Sequence, residues 1–345
     1  MYRHGRDRVM SLANDANQRG LVLGLTSTIF SLTSKAKNTM LSLYPVTVQS
    51  LDVLKAKLPT DGSGDCNLSM ASLITRAKEH EVEYACLVGR LVLRWRPAPK
   101  SPMCWIWPAD CDLCPTLMRE LESQSLAMGE PLRIYGTLPQ LEESFRATWP
   151  ERRYTLTTSE DWGDYLYSRE ALVKLEGRKL AGKRNFVKRY RAQHPNAQFL
   201  PLDASTIPLA QKFLKAWYAE HQPLEPMMQA ESDAIDIAFA HFDALGLRGG
   251  ILVDDGVVHG FTYGMQVTDK MFAVHIEKAD RSVVGAYPAL ASFFAASLPE
   301  KFSVINREED LGIPGLRKAK EDWNPMGRLE KGYLTIEPEC GLARA

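Results

Sequence analysis

Residues 306–320 read Asn-Arg-Glu-Glu-Asp-Leu-Gly-Ile-Pro-Gly-Leu-Arg-Lys-Ala-Lys, and they follow the apolar run Phe-Ser-Val-Ile at 302–305. Three acids, four bases, two glycines and one proline fall within this stretch, more charge than a plain strand-to-helix connector requires. Ile313-Pro314-Gly315 ends the strand and opens a helix, because proline is tolerated in a first helical turn. A charged turn held on a rigid scaffold is where binding and catalysis concentrate.

Around this turn, periodicity and breakers predict alternating strands and helices. In the first half, strand patterns fall at residues 84–95, a hairpin turning at Gly89-Arg90, and at 105–107, 132–135 and 164–167. Helical spacing falls at 115–128 and 139–149, and Asp61-Gly62-Ser63-Gly64-Asp65 reads as a turn. In the second half the spacing predicts strands at 197–202, 248–253, 257–267, 270–277, 302–306 and 328–336. Helices are predicted at 208–221, 232–245, 287–298 and 314–322. Asp254-Asp255-Gly256 is a strong hairpin turn, and Ser232-Asp233 with Gly246 read as the cap and stop of a helix. This alternation is that of an α/β protein.

At 345 residues the chain suits two domains, divided here at 40–170 and 171–340, with 1–39 as an N-terminal extension. The apolar segment 21–32 behind Arg3, Arg6, Arg8 and Arg19 has a weak likeness to a signal peptide, but Ser and Thr interrupt it and no small-residue cleavage site follows. Residues 40–46 read as the first strand. No run reaches the ~18 apolar residues of a membrane span. Lys+Arg and Asp+Glu number 42 each, so any site for a polyanion is local. Cys111-Asp112-Leu113-Cys114 lacks the further ligands of a zinc site. It reads either as a thiol pair at a helix start or as reduced thiols in a cytoplasmic protein, and no metal is expected.

Along residues 270–277, alternation puts Ala273, His275 and Glu277 on one face. Glu277 is a candidate general base, with His275 beside it; the competing reading is an ion pair of Glu277 with Lys278 or Arg281. The turn from Arg281 through Gly285 to Tyr287 feeds a helix, where free N–H groups and the helix dipole favour an anion. Residues 171–193 carry eight Lys or Arg against one Glu, and Lys183-Arg184-Asn185 is their focus. The stretch reads as either a phosphate-binding face or a solvated helix surface.

The second-half order, β-α-α-β-β-β-α-β-α-β, resembles the GNAT acyltransferase fold. That resemblance implies that strands 270–277 and 302–306 splay apart to hold an acyl donor. Acetyl-CoA enzymes of this fold carry Gln/Arg-x-x-Gly-x-Gly/Ala at the following turn, whereas Arg281 and Gly285 stand one residue further apart. Three segments carry a closer resemblance. They are Asp164-Tyr165-Leu166-Tyr167 with Gly177-Arg178-Lys179 and Lys183-Arg184-Asn185; His275 through Asp280 with Gly285-Ala286-Tyr287; and Asn306 through Lys320. Together they resemble the DUF2156 family, related to the catalytic C-terminal region of phosphatidylglycerol lysyltransferases. The resemblance spans residues 40–336 and implies tandem GNAT-like domains.

It also implies an aminoacyl-tRNA donor, with acetyl-CoA as the alternative co-substrate, and no resident cofactor. The acceptor would be an amine or hydroxyl on a small molecule, lipid headgroup or peptide. In that frame Arg281, Gly285, Tyr287, Arg317, Lys320, Lys183, Arg184 and Asn185 are expected on the donor, with tRNA as partner. Asn306, Glu308 and Asp310 are expected on a substrate ammonium. A non-catalytic RNA- or ligand-binding module on the same scaffold is the reading from another class.

Overall fold

Turn chemistry sets the boundary between two of the longest strands. In the computed structural model, which describes residues 41–337 apart from 59–61, 99, 107–114 and 221–223, Asp255 and Gly256 both take positive φ (+46° and +82°). That is the backbone a two-residue hairpin needs. Cys111 and Cys114 lie outside the described residues, as does the 1–39 extension.

In chain order come β1 (Tyr44–Pro45), α1 (Leu51–Lys57), α2 (Met70–Thr75), β2 (Glu83–Leu87), β3 (Arg90–Trp95), β4 (Cys104–Ile106), α3 (Pro115–Ala127), β5 (Arg133–Thr137), α4 (Gln140–Thr148) and β6 (Tyr154–Thr158). There follow β7 (Asp164–Ser168), α5 (Arg169–Lys174), α6 (Ala181–Gln193), β8 (Gln198–Pro201), α7 (Ile207–Ala219), α8 (Pro226–Ala240), β9 (Arg248–Asp254), β10 (Val257–Gln266) and β11 (Met271–Ala279). The chain continues through α9 (Ala286–Ser297), β12 (Val304–Asn306), α10 (Pro314–Glu321), β13 (Gly327–Leu329) and β14 (Lys331–Ile336). Helix α8 begins six residues before the expected Ser232, because Pro226 stands at its first position.

Two seven-stranded mixed sheets result, in the orders β1-β2-β3-β4-β5-β14-β6 and β13-β7-β12-β11-β10-β9-β8. Each contains one parallel pair made by a helical crossover, β4 with β5 through α3 and β11 with β12 through α9. The antiparallel neighbour that completes each crossover comes from the other half of the described chain. β14 pairs with β5, and β7 pairs with β12. The sheets therefore do not separate at residue 170. The single closing strand expected at 328–336 is two strands that part at Glu330 and enter different sheets.

A continuous apolar core ties the sheets together, running from Leu54, Trp95 and Tyr135 to Leu214, Phe239, Phe261 and Tyr263. The expected splay is present. β11 and β12 pair only over Met271–Ala273 against Val304–Asn306, and β11 then runs on to Ala279 without that partner.

Candidate active site

The unpartnered half of β11 carries a bulge. Tyr263 of β10 stands opposite Ile276 and Gly264 opposite Val274, so His275 is the extra residue. A bulge interrupts alternation and re-aims a side chain. It also brings the Ala273 carbonyl so close that a Cβ on Gly264 would lie 1.8 Å from its oxygen, so only glycine fits there. The expectation that His275 and Glu277 share a face fails for this reason. His275 and Ile276 line a cleft of about 150 Å³ together with Arg76, Glu231, Tyr263 and Glu308. Glu277 and Val274 line a separate crevice.

In the cleft, His275 Nδ1 lies 2.8 Å from Glu308 Oε1, and Nε2 lies 3.2 Å from Ser69 Oγ. Glu308 reaches this position from a left-handed backbone, φ +62°, unusual for a residue with a side chain. The loop is fastened in that shape. The Asn306 carboxamide oxygen accepts the Glu308 N–H at 2.8 Å, and the Tyr165 N–H donates to the Glu308 carbonyl at 3.1 Å. Lys320 Nζ donates to the carbonyls of Glu308 (3.0 Å) and Glu309 (2.7 Å), and to that of Arg307. Backbone strain of this kind costs about 1–3 kcal/mol and persists only where surrounding bonds over-determine it.

Beneath the loop lies a buried charge cage. Lys331 Nζ is 2.7 Å from Asp164 Oδ1, 3.1 Å from Glu309 Oε2 and 3.5 Å from Asp65 Oδ1. Asn306 Nδ2 donates to Asp164 Oδ2 (2.8 Å) and to the Gly64 carbonyl (2.9 Å), and Tyr135 donates its hydroxyl to Asp65 Oδ2 at 2.6 Å. Burial, opposed by Lys331 and reinforced by Glu309 and Asp65, pushes the Asp164 carboxyl up to about 7. Burial works against the Lys331 charge too, but its three carboxylates outweigh it and hold the ammonium well above the ordinary lysine range. The cage joins β5, β7, β12 and β14, and so joins the two sheets at the base of the active loop.

Several expected ligand-binding residues are turned inward. Asp310, fully buried, accepts from the Tyr165 hydroxyl (2.7 Å), Arg317 Nε (2.8 Å) and the Gly312 N–H (2.9 Å), so it holds no substrate ammonium. Arg317 spends its guanidinium on Asp310 and Asp161, and Lys320 spends its ammonium on loop carbonyls, so neither presents charge to a donor phosphate. Asn306 is fully buried in the cage. Arg184 donates to the Leu175 and Gly177 carbonyls at the end of α5, and Lys183 lies over the Trp323 ring at 5.0 Å. Asn185 and Arg281 are exposed. Glu277 is paired, but with Arg307 Nη2 at 2.6 Å rather than with Lys278 or Arg281; Lys278 bonds Glu231 instead.

Gly285 caps α9 at φ +87°, where a Cβ would fall 2.4 Å from the Phe186 carbonyl oxygen. Helix α6 thus backs directly onto this turn. Of the first-turn donors, the Ala286 N–H is taken by Val283, and Pro288 has none. Tyr287 is half-buried beside the same turn, and burial raises its hydroxyl pKa.

Among the described residues two groupings have metal-ligand chemistry. In Asp65, Cys66 and Asp164 the Lys331 ammonium already supplies the cation. His194, Asp254 and His259 form the other, with His194 Nδ1 bonded to Asp254 Oδ2 at 2.7 Å.

The family model for the phosphatidylglycerol lysyltransferase C-terminal region matches residues 62–334. The chain belongs to this family. A solved structure of a conserved protein of unknown function from Bacteroides thetaiotaomicron is 30% identical. The match covers 86% of this chain and 100% of that one, with a TM-score of 0.74. The C-terminal DUF2156 domain assigned to a lysylphosphatidylglycerol synthetase of Agrobacterium fabrum shares the fold at 15% identity, over 84% and 92% of the chains, with a TM-score of 0.55. L-PGS from Bacillus licheniformis does so at 12% identity, over 84% and 91%, with a TM-score of 0.55. No curated protein sequence matches. Membership of this family supports a transferase, and the paired mixed sheets share the fold of these C-terminal domains. No helix among the described residues is long and apolar enough to cross a membrane.

Ser69, Asp65, Asp164, Glu309 and Lys331 were not singled out as site residues from the sequence. Their signals were faint: Asp65 closes a turn-rich run, and Lys331 follows Glu330 at the start of β14. Both became informative only once the strands crossed between sheets.

Proposed function

We propose that the protein transfers an aminoacyl group from aminoacyl-tRNA to an amine or hydroxyl acceptor, with His275 taking the proton. The observation that carries this reading is the His275–Glu308 pair at 2.8 Å, set in the cleft at the splayed end of β11. A neutral imidazole whose Nδ1–H is held by a carboxylate presents a basic Nε2. Glu277 is clamped by Arg307 at 2.6 Å and lines the other crevice, away from His275. Glu231, Glu308 and Glu309 line the cleft against Arg76 and Lys320, an acidic excess suited to an aminoacyl ammonium. The exposed cations Arg178, Lys179, Lys188, Arg189 and Arg191 on and before α6 offer a tRNA backbone an electrostatic face. The α9 turn, backed by α6 and short of N–H donors, favours this donor over acetyl-CoA.

The test is transfer of radiolabelled amino acids from charged total tRNA, run beside acetyl-CoA. His275→Gln should lower turnover at least about 100-fold, while Glu277→Gln stays within a few-fold. Acetyl transfer without aminoacyl transfer, or loss of activity in Glu277→Gln alone, refutes the assignment.

A further inference from the structure

A second bulge lies where β10 meets β9. Val258 stands opposite Val253 and Gly260 opposite Leu252, so His259 is an extra residue in that ladder. A bulge re-aims a side chain. The buried His259 meets two groups from other elements: His194, the C-terminal cap of α6, and Asp254, the last residue of β9. One donor atom from each of the three lies within 4.8 Å of the other two. A tetrahedral zinc ion with bonds of about 2.0–2.2 Å holds its ligands about 3.3 Å apart. Modest side-chain rotations therefore close this set on one ion.

The hydrogen bonds around the cluster follow the same pattern. His259 Nδ1 bonds the Tyr190 hydroxyl at 2.9 Å, which leaves Nε2 for a ligand and supplies the outer partner that orients a metal-bound imidazole. His194 Nδ1 lies 2.7 Å from Asp254 Oδ2. The other oxygen of that carboxylate, Oδ1, is buried and has no hydrogen-bond partner among the described residues. A buried acceptor left over in this way calls for an explanation, and a bound ion is one. No lysine or arginine among the described residues pairs with Asp254. The contrast with Asp65, Cys66 and Asp164 is direct, since that grouping has the Lys331 ammonium at its centre. The C-terminal end of α6 adds the negative pole of the helix dipole, which also favours a cation.

We propose that His194, Asp254 and His259 bind a divalent transition-metal ion of the zinc class. Two imidazoles and one carboxylate suit Zn²⁺, whereas Mg²⁺ and Ca²⁺ prefer oxygen ligands throughout. The ion takes the place of the proton between His194 Nδ1 and Asp254 Oδ2, and that proton leaves. Its role is structural: it fastens the end of α6 to the β9–β10 hairpin, while Phe186 of the same helix backs the α9 turn. None of the three ligands lines the cleft around His275, so the site is independent of the donor and of the proton acceptor.

The experiment strips wild-type protein with a chelator and titrates it with zinc chloride by isothermal calorimetry. One zinc per chain is expected, with a thermal midpoint that rises on loading. Zinc-edge X-ray absorption of the loaded wild type should show two imidazoles and no sulfur. That result sets aside Cys111 and Cys114 as ligands and depends on no variant folding. His194→Gln and Asp254→Asn should each weaken binding at least about 100-fold, and Tyr190→Phe about 10-fold, with the metal-free thermal transition preserved. Cys111→Ser with Cys114→Ser should leave binding unchanged. No stoichiometric zinc, sulfur in the zinc shell, or binding unchanged in His194→Gln overturns the proposal.

Discussion

Replacing Lys331 by methionine keeps most of the side-chain volume and removes the one ammonium that Asp164, Asp65 and Glu309 share within 2.7–3.5 Å. Removing one partner of a buried ion pair costs about 3–5 kcal/mol, because it leaves uncompensated buried charge. For a domain of this size that lowers the thermal midpoint by about 6–20 °C. The deficit must also depend on pH. Without the ammonium the buried Asp164 carboxyl loses the interaction that favours its charged form and holds its proton to higher pH in the native state than in the unfolded chain. The native state then binds more protons, and stability rises as pH falls. Asp164, already pushed up to about 7, behaves in this way in the parent protein, and the variant strengthens it. Urea denaturation of both proteins at pH 8 and pH 5 is the assay, with the deficit largest at pH 8 and narrower at pH 5. A deficit under about 1 kcal/mol, or one that widens on acidification, refutes the view that Lys331 neutralises the cage.

Asn306→Ala removes a side chain that bonds Gly64, Asp164 and Glu308 in a fully buried position. About 3 kcal/mol should be lost on chemical denaturation, since each orphaned buried partner costs about 1–3 kcal/mol. Gly264→Ala forces a Cβ against the Ala273 carbonyl. It should cost about 2–3 kcal/mol by overpacking and displace His275, seen as a fall in the urea midpoint together with lost His275-dependent turnover.

Much of the second half was legible in the sequence because its signals are local. The Asp254-Asp255-Gly256 turn and the crossover through α9 fall where short-range patterns put them, whereas the divergence of β11 from β12 was implied only by the fold resemblance. The bulge was not legible. Met271 to Glu277 fits an unbroken strand, and the extra residue is revealed only by Gly264 on the neighbouring strand. Nor could the charges of residues 306–320 be assigned from their own stretch. Asp310 and Arg317 satisfy one another seven residues apart, and Lys320 folds back on the backbone of 307–309. The net product is one aimed carboxylate, Glu308. Ser69 reaches His275 from 206 positions away, a separation no periodicity reports.

The exchange of β7 and β14 has a consequence for biosynthesis. Strand β14 lies between β5 and β6 and hydrogen-bonds both, yet it is the last of these elements to be made. During synthesis those two strands leave the ribosome with facing edges and no strand to fill the gap, while the whole second sheet is still being translated. Exposed edges are sites of wrong pairing. The first half therefore cannot mature by itself, and the step that closes its sheet also inserts Lys331 among the waiting acids. Assembly of the site and completion of the fold are one late event.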